Sequence, residues 1–247
     1  EKGQKLRAEL TELEAEAREL HAKMLKHGLG VPNDTHPDTP VGPEDAAEVV
    51  ATVGEAPTFS FKPRDHQELG AIHDLFDLKH TATVVGSKFA TLRNRGALLE
   101  LGLANWVLNM LHDAGFQVML PPDLIHRDVV SACGFQARGE HTQVYSVEDS
   151  DLCLIGTAEI PLASWCMGRT LTEKELPVRM AAFSHCFRRE AGAAGQQDGG
   201  LYRVHQFSKV EMFVVCKPED SEAELQRLVE IEKGVVGALG LHARVLH

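Results

Sequence analysis

The chain holds no apolar run long enough to cross a bilayer. Its densest stretches, Leu98 to Leu111 and Phe116 to Leu120, are interrupted by Glu100, Asn105, His112 and Asp113, well short of the ~20 apolar residues a span needs. It contains no C-x-x-C pair. The five cysteines (Cys133, Cys153, Cys166, Cys186 and Cys216) are odd in number and widely spaced, which argues against a disulfide framework or a structural zinc site and for a reducing compartment. G-x-G-x-x-G, a Walker loop, H-E-x-x-H and G-x-S-x-G are also missing, which removes most common enzyme classes. Positive charge is scarce, with 25 Lys and Arg against 36 Asp and Glu and a net charge of -11. The whole-molecule field therefore repels nucleic acid, and any such partner needs a local basic patch.

What is present is an ordinary globular balance over 247 residues, 43% hydrophobic and 25% charged, enough for one main domain with an appendage. The first residue is Glu1 rather than Met, so a processed chain or fragment is expected, with any targeting peptide out of view. Leu6, Leu10, Leu13, Ala17, Leu20, Met24 and His27 recur at spacings of four and three. They form a heptad seam that needs a second helix, or else a face packed on its own domain. Gly28, Gly30 and Pro32 stop this helix. Pro32 to Pro63 is rich in Pro and Gly and reads as a linker with one short strand or turn.

The segment Arg95 to His112 is apolar enough to predict a helix buried on several faces, followed by a strand over Phe116 to Leu120 that Pro121 and Pro122 end. Further strands are expected over Asp151 to Gly156, Arg179 to Phe187 and Phe207 to Val215, with a helix from Ser221 to Leu239. Strands separated by irregular loops indicate an α+β class.

Three constellations place charges beside apolar runs, where an unpaired charge is expensive. Thr157 and Glu159 follow Leu152 to Ile155 and, at a strand end, would together hold an ammonium group; alternatively Thr157 caps a helix over Ile160 to Met167. Phe187-Arg188-Arg189-Glu190 and Leu201 to Phe207 flank a Gly-bearing loop and read as a hairpin. On one face Arg188 could bind a phosphate and Glu190 an amino group, with Phe207 offering a stacking face; the alternative is a solvated surface pair. In Lys209-Val210-Glu211-Met212-Phe213, inward Val210 and Met212 turn Glu211 to the other side of the sheet, toward water or a ligand cleft.

In order and spacing these pieces resemble the seryl-tRNA synthetases, class II aminoacyl-tRNA synthetases. The resemblance runs from the heptad helix through His36-Pro-Asp-Thr-Pro-Val-Gly42, Gly54-Glu-Ala-Pro57, the helix and strand ending in Pro121-Pro122 (motif 1), Thr157-Ala-Glu159, and Phe187-Arg-Arg-Glu190 through Phe207 (motif 2), to Lys209-Val-Glu-Met212. It implies an antiparallel class II sheet flanked by helices, preceded by part of a coiled-coil arm. Residues 1–30 are then the arm's C-terminal part, 31–63 a linker, and 64–247 an incomplete catalytic domain with motifs 1 and 2 only, ending before motif 3.

By the same resemblance Thr157, Ala158, Glu159, Arg188 and Glu211 bind serine, with Glu211 on its hydroxyl. Arg188, Arg189, Glu190, Val204 and Phe207 bind ATP, and Arg188 is catalytic. ATP and Mg2+ serve the reaction, no protein-bound metal site is implied, and L-serine and tRNA(Ser) are the partners of a homodimer built through motif 1, with no membrane. The motif 2 stretch looks most like organellar members, favouring a mitochondrion or chloroplast over the cytoplasm. Asp198-Gly199-Gly200 stands where relatives often have Thr-Arg-Gly, which puts one contact to ATP or the acceptor end in doubt. The expected activity is serine–tRNA ligation. The alternatives are a non-catalytic synthetase-like binding or structural module, and a ligase that loads a carrier protein instead of tRNA.

Overall fold

The computed structural model describes residues 2–28, 30–135, 143–190 and 199–247. In chain order the elements begin with α1 (Lys2–Gly28), β1 (Val49–Val53), α2 (His66–His73), β2 (Phe76–Asp77), α3 (Lys79–Val85), β3 (Thr91–Leu92), α4 (Asn94–Asp113) and β4 (Gln117–Met119). They continue with β5 (Leu124–His126), α5 (Arg127–Ala132), β6 (Leu152–Leu154), α6 (Glu159–Trp165), β7 (Val178–Phe187), β8 (Gln206–Val215), α7 (Ser221–Ala238) and β9 (Ala243–Leu246). The mixture is α+β, as the sequence predicts. Residues 1–52 with 244–247 form one compact unit and residues 53–243 another.

In the first unit α1 runs the full length of the heptad pattern, with Lys26 and His27 in its last turn, where cations complement the helix dipole. It buries no residue; Leu6, Leu10, Leu13, Leu20 and Met24 all stand more than half exposed. The expected linker holds one 3-10 turn, Glu44–Ala46, and β1, which pairs with β9.

In the second unit the organising element is a sheet of order β4-β7-β8. β7 and β8 pair antiparallel over ten residues each, from Val178 opposite Val215 to Phe187 opposite Gln206. β4 joins β7 in parallel through Gln117, Val118 and Met119. Both faces of β7 are covered, which is why its sequence is nearly continuously apolar rather than alternating. On one face Ala181, Val210, Met212 and Val214 pack with Leu111 and Phe116 and with Leu228 and Ile231 of α7. On the other, Met180 and Ala182 pack with Ala158 and with Leu162 of α6. A smaller cluster joins Val129, Val130, Cys153 and Ile160.

One expectation needs correction. α4 is not buried on several faces: Leu111 is its one buried residue, while Leu98, Leu99 and Leu101 are 68%, 69% and 63% exposed. Its inner face covers the sheet, with Glu100 accepting from Ser208 of β8 at 2.7 Å, while Leu98, Leu99 and Leu101 face outward. The short elements α2, α3, α5, β2, β3, β5 and β9 carry too little periodicity to be predicted. Close contacts hold the first of them in place. A side chain at Gly70 would meet the Phe76 ring, and one at Gly96 the Leu75 carbonyl.

Candidate active site

β8 turns Phe207, Lys209 and Glu211 to one face, opposite Cys186, Ser184 and Ala182 of β7. Val210 and Met212 face the α4–α7 core, so Glu211 points the other way, as the alternation predicts. Its Oε2 accepts a hydrogen bond from Thr157 Oγ1 at 2.6 Å, across 54 positions of sequence. The same oxygen is paired with Lys209 Nζ.

Thr157 and Glu159 do not share a strand end. β6 stops at Leu154, and Glu159 is the first residue of α6 and exposed, because the chain turns at Gly156 to Ala158 and Leu162 N–H bonds the Ala158 carbonyl. The buried Thr157 hydroxyl also accepts from Glu159 N–H at 3.3 Å. A helix does start here, but its N-cap is Ala158 with no side-chain cap, so Thr157 does not cap it, and the hydroxyl proton goes to Glu211.

Arg188 lies at the end of β7. Its Nε donates to the Gly156 carbonyl at 3.2 Å, and its guanidinium stands 5.3 Å from the Phe207 ring centroid and 5.9 Å from that of Phe135, within cation–π range. Gly156 is required here, since a Cβ would lie 2.2 Å from the Phe135 ring. The ladder continues beyond β7: Arg188 N–H donates to the His205 carbonyl at 2.9 Å, and the Arg188 carbonyl is 2.9 Å from His205 Nδ1. Arg189 N–H donates to the Gln143 carbonyl at 3.0 Å. Glu190 takes a left-handed backbone, φ 49°, and accepts from Arg203 at 2.8 Å. Arg188, Glu190, Val204 and Phe207 line a cavity of about 350 Å³. One face of one hairpin thus presents a fixed cation, an aromatic plane and two carboxylates.

Over residues 143–247 the chain matches the family described as the tRNA synthetase class II core domain (G, H, P, S and T). It is 42% identical over its whole length to the serine–tRNA ligase of Borrelia recurrentis and 42% identical to that of Rubrobacter xylanophilus, spanning 58% of each. A crystal structure of seryl-tRNA synthetase from Pyrococcus horikoshii, complexed with ATP, superposes with a TM-score of 0.89 at 34% identity, covering 95% of this chain and 57% of that one. A cytoplasmic serine–tRNA ligase from Naegleria fowleri, in complex with AMP, superposes with a TM-score of 0.84 at 25% identity, covering 94% and 56%. Over its whole length the chain is similar to seryl-tRNA synthetases, of which it spans a little over half.

The stretch that the resemblance assigns to motif 2, Phe187 through Phe207, spans the turn of the β7–β8 hairpin. Its tip, residues 191–198, lies outside the described residues, Asp198 included. Sequence reasoning passed over two residues at this hairpin. Lys209 looks like half of a solvated ion pair until the strand register sets it beside Glu211. His66, at the start of α2, lies 135 positions from Leu201, whose N–H it accepts at Nε2 over 3.0 Å; it also meets Tyr202 edge-on at 4.5 Å. Gly200 has φ +73°, and a Cβ there would lie 2.0 Å from His66 Nε2, while one at Gly199 would lie 3.3 Å from Gln67. Helix α2 therefore abuts the loop at Gly199 and Gly200. Burial pushes the Cys186 thiol on the same face above its ordinary pKa, which keeps it protonated and inert. Among the described residues no three His, Cys, Asp or Glu side chains gather to hold a metal, and no helix is long and apolar enough to cross a membrane.

Proposed function

We propose that this chain activates serine with ATP to seryl-adenylate and passes the seryl group to tRNA(Ser), as a serine–tRNA ligase. The observation that carries the proposal is the meeting of Thr157, Glu211 and Arg188 with Phe207 on one sheet face. The ATP and AMP bound by the archaeal and amoebal relatives support a nucleotide at Phe207 and Arg188.

In this reading Thr157 and Glu159 hold the substrate ammonium, with Ala158 lining that site, and Glu211 accepts from the hydroxyl. Glu190 meets the adenine amino group, Phe207 stacks on the ring, Val204 lines it, and Arg189 borders the nucleotide. The serine carboxylate oxygen forms a bond to the α-phosphorus as the bond to pyrophosphate breaks. A carboxylate is already ionised at neutral pH, so no general base is needed. Arg188 fixes both reactants and offsets the charge developing on the phosphoryl oxygens. Mg2+, which prefers phosphate and water ligands to an all-protein cage, would enter on the ATP phosphates and neutralise their charge. A hydroxyl-accepting Glu211 left unpaired by alanine would support discrimination of about 10⁴ or more.

Three further parts belong to the same proposal. Residues 1–30 supply part of a coiled-coil arm that grips tRNA, supported by the uncovered leucine seam of α1. Residues 64–247 supply the catalytic domain, dimerising through α4 and β4, supported by the exposed Leu98, Leu99 and Leu101. The working compartment is a mitochondrion or chloroplast, supported by the organellar look of motif 2.

Amino-acid-dependent ATP–pyrophosphate exchange on the full-length protein tests the activity. Exchange with serine, and not with alanine or threonine, is the expected result; a folded protein that exchanges with none of them is the non-catalytic alternative. Sedimentation reads the dimer, and organelle import reads the compartment.

A further inference from the structure

Glu211 holds its two carboxylate oxygens in different company. Oε2 takes both donors, the Thr157 hydroxyl at 2.6 Å and the Lys209 ammonium; Oε1 receives no hydrogen bond from the described residues. Lys209 reaches Oε2 from two positions back on the same strand face, opposite Ser184, as Glu211 is opposite Ala182. Neither partner is free in solvent, since the Lys209 and Glu211 side chains are 31% and 22% exposed. The ion pair lies along the sheet face rather than out in solvent.

We infer that Lys209 is a specificity-determining positioning residue, which holds Glu211 by Oε2 so that Oε1 alone is presented to the substrate side chain. This rests on the ligase reading above. A carboxylate with both oxygens free attracts any cation, and the substrate's α-ammonium is the nearest one. Serine, alanine and threonine all carry that ammonium, so a Glu211 that captured it would discriminate among none of them. With the Lys209 charge on Oε2, an incoming ammonium meets a carboxylate whose field is already largely cancelled and a like charge beside it. A hydroxyl needs only a lone pair and is not repelled. Lys209 therefore converts a general cation site into a hydroxyl acceptor, and leaves the ammonium to Glu159. Thr157 serves the same end, because its short bond to Oε2 fixes the rotamer from the opposite side.

The test is serine- and alanine-dependent ATP–pyrophosphate exchange on the full-length protein and on Lys209→Met and Lys209→Arg, with thermal melting as the check on folding. The methionine keeps the stem and removes the charge. The expected result is a fall of about tenfold or more in the serine-to-alanine ratio of kcat/KM, with alanine's own value unchanged or raised and the ATP KM within about twofold. The arginine, which keeps the charge, restores most of the ratio. A wild-type ratio in the methionine variant, or equal proportional losses for serine, alanine and ATP, would overturn the inference. If the unpaired carboxylate prevents Lys209→Met from folding, the double variant with Glu211→Gln leaves no lone charge. Its ratio is expected to match that of Glu211→Gln alone, and a further fall would overturn the coupling. Absence of serine exchange from the wild type would instead sink the ligase reading, and this inference with it.

Discussion

Helix α1 and the β7–β8 hairpin are both long and regular, and they owe their regularity to opposite causes. α1 runs 27 residues and buries none of them. β7 buries Met180, Ala181, Ala182 and Cys186 completely. A helix of that length satisfies its backbone internally and gathers local support, such as the Glu19–Lys23 pair at 2.7 Å; shorter helices are marginal alone. A lone hairpin has no such resource, and this one persists because α4 and α7 close one face and α6 the other. Sequence changes should therefore be felt globally in the hairpin and only locally in α1.

The largest expected difference between the two regions is in chemistry. Glu211→Ala should raise the serine KM by about a hundredfold or more while leaving the ATP KM nearly unchanged, since the substrate hydroxyl loses its acceptor while the nucleotide keeps Arg188 and Phe207. Equal losses for both ligands would show that the hairpin as a whole had shifted. Leu13→Glu in α1 should leave serine-dependent exchange untouched, and any loss would mean the helix serves the site.

Stability gives the next contrast. Ala182→Leu forces three extra carbons between Met180, Leu162 and Ala158, and should cost about 1–3 kcal/mol by overpacking, several degrees of Tm by differential scanning calorimetry. Glu16→Gln, exposed and off the leucine seam of α1, should stay within about 0.5 kcal/mol. A matching loss in both would dissolve the distinction.

The smallest effect concerns pH. Arg179, at the start of β7, donates to Glu224 of α7 from Nε at 2.9 Å, and these hydrogen bonds hold the Glu224 carboxyl below its ordinary pKa. A depressed folded-state value means that stability is present above the unfolded carboxylate pKa of about 4.3 and is lost as pH falls through the folded one. Glu224→Gln should therefore melt below the wild type at neutral pH, with the gap closing under acid conditions. A gap independent of pH would mean that shape, rather than charge, matters at that contact.

Much of this architecture is legible in the amino-acid order, for identifiable reasons. Apolar runs locate α4, β7, β8 and α7 to within a few residues, because these elements are long and each buries a face. The heptad locates α1, whose pattern is local by nature. What escapes is set by contacts between distant segments: α2 stands where Gly70 admits the Phe76 ring, and α5 is a short helix held by its Val129 and Val130 against Cys153 and Ile160. The site divides in the same way. Thr157, Arg188 and Glu211 stand out because charge and hydroxyl border apolar runs. Lys209 and His66 do not, since an ion pair two apart on a strand and a histidine at a helix start are commonplace until register and a 3.0 Å bond give them partners. Glu159, for which the spacing leaves strand end and helix start both open, opens a helix, because three residues suffice to change direction at Gly156.

Glu190 occupies backbone space in which glycine is more at ease, at φ 49°, a conformation that disfavours most residues by about 1 kcal/mol or more. Glycine would relax that turn and carry no carboxylate. Laboratory evolution rewarding heat resistance alone would therefore drift toward glycine at 190 and, on the ligase reading, silence the nucleotide cleft on the way. On that reading, heat resistance and catalysis pull this one position in opposite directions.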